Sequence, residues 1–153
     1  MKWFEHRIPP PVVGGLAGVA MWLVSQRGTP LPVDDMLRHG VTVALVVAGL
    51  CFDVLGLLAF RAARTTVNPL HPDKASNLVS AGVYRVTRNP MYLGMLCLLL
   101  AWAAFLAVPA ALLGPLLFVL YITRFQIIPE ERILRARFGD PYDEYLRQVR
   151  RWI

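Results

Sequence analysis

The stretch RVTRNPMYLGMLCLLLAWAAFL, residues 85–106, changes character in its middle. Two arginines, an Asn-Pro pair and a tyrosine lead directly into an almost unbroken apolar run. A plain membrane anchor needs a cation or two at its end, but it has no need of the pattern Asn-Pro-x-Tyr-x-Gly. The stretch therefore predicts an apolar helix, and it predicts that the polar residues at the start of this helix have a role beyond anchoring it.

The composition around this stretch is that of a membrane protein. The 153-residue chain is 56% hydrophobic and 17% charged, with a mean hydropathy of +0.50. A soluble domain carries about 25% charged residues. The apolar residues lie in blocks, and the basic residues behind the net charge of +6 flank those blocks. This distribution predicts cations that face lipid headgroups, and we expect no nucleic-acid partner.

The two cysteines, Cys51 and Cys97, lie inside apolar runs without a CxxC spacing. Cysteines in such surroundings are typically small buried hydrophobic residues. We therefore predict neither a disulfide framework nor a metal site.

The apolar blocks predict one all-α integral membrane domain over residues 1–153, with about four transmembrane helices. The predicted spans are 11–25, 40–60, 91–108 and 110–122, with a polar loop over 61–90 and a polar tail over 124–153. Pro109 alone separates the third and fourth spans, which predicts a tight helical hairpin. Pro115 predicts a kink in the fourth span.

The first span contains the pattern GxxxG at Gly14 and Gly18. Small residues at this spacing let two membrane helices approach closely, so we expect the span to pack tightly on a neighbour. The same pattern permits a dimer without requiring one.

The tail predicts two amphipathic helices. Pro129 occupies a first-turn position of the first helix, Gly139 ends it, and Asp140 begins the second. The second helix has an apolar stripe suited to the membrane surface or to the long loop, formed by Tyr142, Tyr145, Leu146, Val149 and Trp152. We expect the final Arg-Arg-Trp, residues 150–152, to anchor the chain at lipid headgroups.

The lysines and arginines predict the orientation of the chain. Fourteen of the sixteen lie in the N-terminus, the long loop and the tail, whereas Arg27 and Arg38 lie between the first two spans. Both termini and the loop are therefore expected on the cytoplasmic side, in the inner or plasma membrane of a prokaryote.

This topology brings polar side chains to one face of the membrane. Tyr84, Arg88, Asn89 and Tyr92 would come from the loop and third span, and Gln126, Glu130 and Glu131 from the tail. Arginine binds carboxylate or phosphate, and paired carboxylates bind an ammonium group or ribose hydroxyls. S-adenosylmethionine carries such groups, but the residue types also allow a nucleotide or a lipid headgroup.

Two motifs are similar to those of a known family. The segments SAGVYRVTRNPMYLG and PEERILRARFGDPYDEYLRQVRRW resemble the isoprenylcysteine carboxyl methyltransferases and the related phospholipid N-methyltransferases. The shared pattern is G-x-Y-x-x-x-R-H/N-P-x-Y-x-G, a hairpin, and then E-E-x-x-L-x-x-x-F-G-x-x-Y-x-x-Y. The resemblance covers about residues 64–152.

The resemblance implies an integral membrane enzyme that transfers a methyl group from S-adenosylmethionine. It implies that one wall of the cofactor pocket is formed by Tyr84, Arg88, Asn89, Pro90, Tyr92 and Gly94. Glu130 and Glu131 would close the pocket from the C-terminal side.

The chain departs from the prenylcysteine enzymes at two positions. They have His where this chain has Asn89, and they often have a basic residue near the position of Gln126. Both differences disfavour a prenylcysteine carboxylate as the acceptor, while the cofactor prediction is unaffected.

Methyl transfer from a sulfonium needs alignment and exclusion of water more than proton transfer. No dedicated base is expected for a carboxylate or thiolate acceptor. An amine acceptor would need one, and the candidates are Glu131 and Asp53, an acid within the second span. His71, in the loop, is expected to be only solvated.

The acceptor is predicted to be a carboxylate, amine, thiol or phenol on a lipophilic molecule or lipid. Two alternatives stay open: a non-catalytic membrane protein that binds a lipid or a partner, and a nicotinamide-dependent reductase relative. The short chain disfavours the reductase.

Overall fold

The structure, a computed structural model, describes residues 8–63 and 77–153. These residues form helices and connecting turns, and they contain no strand. The α-helices are α1 (Pro10–Ser25), α2 (Asp35–Ala62), α3 (Pro90–Leu106), α4 (Leu113–Ile122), α5 (Ile128–Phe138) and α6 (Asp140–Gln148). Short 3₁₀ turns cover Gly82–Arg85 and Pro109–Leu112, and a π-helical turn covers Thr123–Ile127. The predicted all-helical class is confirmed.

Two helices are long and apolar enough to cross a bilayer. They are α2, with 28 residues, and the continuous helix Pro109–Phe138, with 30 residues. α1 and α3 are also apolar, but their 16 and 17 residues are fewer than the roughly 20 that a crossing needs. Four crossings and a membrane hairpin of the third and fourth spans therefore stay predictions.

Glycines bring α2 and α3 into close contact. A Cβ atom on Gly49 would lie 2.9 Å from the carbonyl oxygen of Gly94, and one on Gly56 would lie 2.9 Å from Cγ of Met91. Both distances are shorter than ordinary van der Waals contact, so only glycine permits this approach. The contact fixes the start of α3 beside the C-terminal part of α2.

The helix that begins at Pro109 continues past the apolar segment. The Ile128 N–H donates to the Thr123 carbonyl, five residues back, which makes the turn between α4 and α5 π-helical. The wider turn accommodates Pro129, which has no N–H to donate and would crowd a regular α-helix. Pro129 thus lies in the first turn of α5, as predicted, but α5 continues the helix that begins at Pro109 and does not follow a break in the chain.

α1 packs against both α3 and α4, but its GxxxG pattern is not the point of closest contact. A Cβ on Gly14 would lie 3.8 Å from Phe118, an ordinary contact. A Cβ on Gly18 would meet no atom of the described residues within 4 Å. The prediction of tight packing at this motif is wrong for Gly18, since the same spacing also suits an open groove.

α6 holds the segment before α3 in place. Tyr142, Tyr145 and Val149 are buried in a cluster with Val79 and Tyr84. Gly139, with φ of 59°, ends α5 as predicted, and α6 then folds back. The predicted apolar stripe is confirmed for Tyr142 and Tyr145 of α6 and for Val149, the residue directly after it, and it packs on the loop.

Candidate functional site

A cavity of about 260 Å³ lies where the start of α3 meets α5, α6 and the end of α2. Aromatic side chains form much of its wall, including Phe60, Tyr84, Phe138, Tyr142 and Tyr145. Its charged and polar lining consists of Arg88, Asn89, Tyr92, Glu130 and Glu131, together with Asn77. Six predicted site residues thus lie around one space: Tyr84, Arg88, Asn89, Tyr92, Glu130 and Glu131.

Glu131, in the first turn of α5, contacts two arginines. Arg88 Nη1 lies 3.1 Å from Oε1. Arg151 binds with two prongs, Nε to Oε1 at 3.0 Å and Nη2 to Oε2 at 2.8 Å. The hydrogen bond with Glu131 raises the pKa of Arg151. Because the Arg88 and Glu131 side chains are only 14% and 17% exposed, water screens this cluster less than it screens a surface ion pair.

Glu130 and Tyr92 form the second polar pair of the cavity. The Tyr92 hydroxyl donates to Glu130 Oε1 at 2.7 Å, and Tyr92 is buried. α3 supplies the tyrosine from its first turn and α5 supplies the carboxylate. This pair therefore joins the two segments whose motifs the sequence singles out.

The end of the chain forms part of the site. The Asn89 amide and the Thr87 hydroxyl donate to the Arg151 carbonyl at 2.8 and 3.3 Å. The Arg88 N–H donates to the Arg150 carbonyl at 3.0 Å. Residues 149–152, named here the C-terminal clamp, therefore run alongside residues 87–89.

The clamp also reaches the π-helical turn, because Trp152 Nε1 donates to Thr123 Oγ1 at 3.2 Å. The side chains of Arg151 and Trp152 bind the protein itself, and an anchoring role of residues 150–152 at lipid headgroups stays a prediction. No local pattern signals Arg151, which lies twenty residues beyond Glu131. Sequence reasoning therefore missed it.

The aromatic wall is held by packing and by one hydrogen bond. The Tyr145 hydroxyl donates to the Tyr84 carbonyl at 2.7 Å, and the Tyr84 ring meets Phe60 edge to face at 5.5 Å. Burial raises the pKa of Tyr84, Tyr142 and Tyr145 well above the usual value. These phenols therefore stay neutral at physiological pH and act as hydrogen-bond donors or flat apolar surfaces.

Three predicted site residues do not line the cavity. Pro90 is buried at the first position of α3, where a proline suits a helix start. Gly94 faces the close contact with Gly49 of α2. Gln126 is fully buried and donates from Nε2 to the Ile8 carbonyl at 2.8 Å. A role for these three in cofactor binding stays a prediction.

The two remaining candidates lie away from the described lining. Asp53, on α2, packs against Gly94 and is absent from the lining that the described residues form. His71 lies outside the described residues. In the described ranges, 8–63 and 77–153, no group of three or more metal-binding side chains occurs.

A sequence model of the family described as phospholipid methyltransferase matches residues 37–141. Methanethiol S-methyltransferase 2 of Bradyrhizobium diazoefficiens is 40% identical over 96% of this chain and 51% of its own length. A probable protein-S-isoprenylcysteine O-methyltransferase of Oryza sativa is 31% identical over 84% of this chain and 60% of its own length. An uncharacterised protein of Haemophilus influenzae is 48% identical over 41% of this chain and all of its own length. No solved structure matches the chain.

The fold and the cavity define a class of protein: an all-helical protein of the membrane type, with a charged and aromatic cavity at one end of its apolar helices. The chain belongs to the phospholipid methyltransferase family. The predicted resemblance to the isoprenylcysteine and phospholipid methyltransferases is confirmed. The chain spans 51–60% of the length of the two named methyltransferases that it resembles.

Proposed function

We propose that this protein transfers a methyl group from S-adenosylmethionine to a lipophilic acceptor at the cytoplasmic membrane interface. The observation that carries the proposal is the arrangement of Arg88, Glu131 and the Tyr92–Glu130 pair around one aromatic-walled cavity. The family supports it, because the named relatives are methyltransferases.

The residues of the cavity fit the cofactor. Arg88 Nε is buried and has no hydrogen-bond partner among the described residues, so it is a donor for the cofactor carboxylate. A carboxylate accepts several hydrogen bonds, so Glu130 can take the cofactor amine or a ribose hydroxyl beside Tyr92. Tyr142 and Phe138 offer flat faces for the adenine ring.

S-adenosylmethionine supplies a methyl group on a sulfonium, which is already a good leaving group. In the transfer a bond forms between the acceptor atom and the methyl carbon, and the methyl–sulfur bond breaks with its electron pair left on sulfur. The protein orients the acceptor and the cofactor and keeps water out of the cavity. A buried aromatic wall and a fixed charge cluster serve both tasks.

Neither of the two candidate bases predicted from the sequence is placed to serve the acceptor. Both oxygens of Glu131 already accept hydrogen bonds from Arg151, so neither is placed to take a proton from the acceptor. Asp53, the other candidate base, is not part of the described lining. Of the predicted acceptors, a carboxylate, which is ionised at neutral pH, and a thiol, whose sulfur is strongly nucleophilic, are therefore proposed before an amine or a phenol.

Calorimetric titration of the detergent-purified protein with S-adenosylhomocysteine tests the cofactor. We expect saturable binding, and no binding of NADPH, which serves as the control for the reductase alternative. Absence of S-adenosylhomocysteine binding by a protein with intact helical circular dichroism would overturn the proposed function and favour the non-catalytic alternative.

We further propose four crossings with both termini and the long loop on the cytoplasmic side, because arginines and lysines concentrate there. Labelling with a membrane-impermeant maleimide tests this in spheroplasts, in a background with Cys51 and Cys97 replaced by Ala. A cysteine at Pro30 is expected to react directly, and one at Gln148 only after permeabilisation. The reverse pattern, or equal labelling, would contradict the orientation.

A further inference from the structure

A second space adjoins the cavity. α1 and α3 enclose an open apolar groove of about 740 Å³. Pro11 and Met95 line both the groove and the charged cavity. The two spaces therefore meet at these residues, and the groove runs from there along the apolar parts of both helices.

Glycines keep one wall of the groove free of side chains. Gly15 and Gly18 of α1 both line it, and a Cβ on either would meet no atom of the described residues within 4 Å. Glycine in a helix interior is unfavourable by about 1 kcal/mol relative to alanine. In a close helix contact, glycine is needed because another backbone approaches, but no backbone of the described residues would lie within 4 Å of a Cβ at Gly15 or Gly18. What the glycines preserve is the open groove.

Trp102 joins α3 to α1 partway along the groove, whose lining continues to Val19 and Trp22. Its Nε1 donates to the Gly18 carbonyl at 3.1 Å, and its ring stacks on Phe105 with centroids 5.4 Å apart. Pro11 and Gly18 are seven positions apart on α1, and Met95 and Trp102 are seven positions apart on α3. At 1.5 Å per residue, the groove is about 10 Å long between the cavity and Trp102.

We propose that this groove binds the hydrocarbon chain of the methyl acceptor and that Trp102 limits the chain length. The inference rests on the proposed function and narrows its acceptor to a molecule with a single chain of about eight carbons, given C–C bonds of about 1.5 Å. The nucleophilic end lies at the junction of Pro11 and Met95, beside the charged cavity. The chain leaves lipid or detergent to enter the groove, so selectivity comes from fit and dispersion contacts more than from the hydrophobic effect.

The test compares alkanethiols as acceptors, from methanethiol through butanethiol and octanethiol to dodecanethiol. A thiolate acceptor gives a thioether and S-adenosylhomocysteine, and the thiol proton passes to solvent. Radiolabelled methyl transfer is measured for the wild type, Gly18→Leu and Gly40→Leu. Position 40, on α2, also has open space for a side chain but lies outside the groove, so Gly40→Leu is the matched control.

In the wild type, kcat/KM is expected to rise from methanethiol to octanethiol and to rise no further for dodecanethiol. Gly18→Leu is expected to lower the octanethiol value by about tenfold, the effect of overfilling a fitted apolar space, and to leave methanethiol within about twofold. Affinity for S-adenosylhomocysteine stays unchanged in both variants. An identical chain-length profile for the wild type and Gly18→Leu overturns the inference.

Whether a hydrocarbon chain occupies the groove is measured separately from methyl transfer, because the groove does not select the nucleophile. A photoreactive n-octyl diazirine is expected to label residues 14–22 or 95–102 in the wild type and to lose this labelling in Gly18→Leu. Labelling spread evenly over the exposed face of α2 would mean ordinary bilayer lipid only, and it would overturn the inference. Loss of S-adenosylhomocysteine binding in the wild type would instead count against the proposed function.

Discussion

Glu131→Gln is expected to weaken the binding of S-adenosylhomocysteine by about ten- to a hundredfold while the protein stays folded. The amide keeps the shape of the side chain but loses the charge that holds Arg88 and Arg151 at 3.1 and 2.8 Å. Hydrogen bonds to charged groups contribute about 1.5–3 kcal/mol each, which corresponds to the predicted loss if one such contact to the cofactor fails. The measurement is calorimetric titration of both proteins.

Glu144→Gln is the matched control, because Glu144 is exposed on α6 and bonds only to neighbouring side chains of that helix in the described structure. We expect its affinity for S-adenosylhomocysteine to stay within about twofold of wild type, as for other surface ion pairs. Equal affinity for wild type and Glu131→Gln would mean that Glu131 only stabilises the start of α5, where a carboxylate suits the helix dipole.

Arg151→Ala has the second largest expected effect, a loss of about tenfold in the same affinity. Arg151 is a positioning residue: it does not line the cavity in the described residues but holds both oxygens of Glu131. Lysine cannot form the two-pronged contact, so Arg151→Lys is expected to restore only part of the affinity.

Arg150→Ala separates this role from a general effect of the C-terminal clamp. The Arg150 side chain is exposed, and its contribution to the site is the backbone carbonyl that accepts from Arg88 N–H, which alanine keeps. A purely structural role for Arg151 would lower the thermal stability of the ligand-free protein and leave its affinity unchanged. That result, or equal affinities for the two alanine variants, would refute the positioning role.

The apolar blocks predict the helices well because burial and lipid exposure both demand long apolar runs. The first span, expected over 11–25, is α1 at Pro10–Ser25. The second, expected over 40–60, begins earlier as α2 at Asp35, where the Asp34 side chain accepts from the Leu37 N–H at 3.0 Å. An N-cap aspartate is a signal that the sequence contains, and reading only the apolar run missed it.

Other features could not be predicted because one sequence pattern serves two structures. Pro129 suits the start of a new helix and also a π-helical turn within a longer one. Glycines four apart suit both a tight helix contact and the open groove beside Gly18. The pairing of Arg151 with Glu131 depends on α6 folding back over the start of α3, which no local periodicity encodes.

The π-helical turn Thr123–Ile127 lies between the apolar part and the charged part of the continuous helix Pro109–Phe138. Each α-helical residue advances the helix by about 100°, and a π-turn contains one residue more than the regular turn that it replaces. The extra residue is therefore taken up within the turn, and the helix on either side keeps nearly the rotation that a regular α-helix would give. A residue inserted or deleted in the regular α-helical parts between Phe118 and Glu131 would instead rotate Glu131 by about 100° relative to Phe118 and carry it away from Arg88. The π-helical turn thus marks a place where this helix can gain or lose one residue while Glu131 keeps its position.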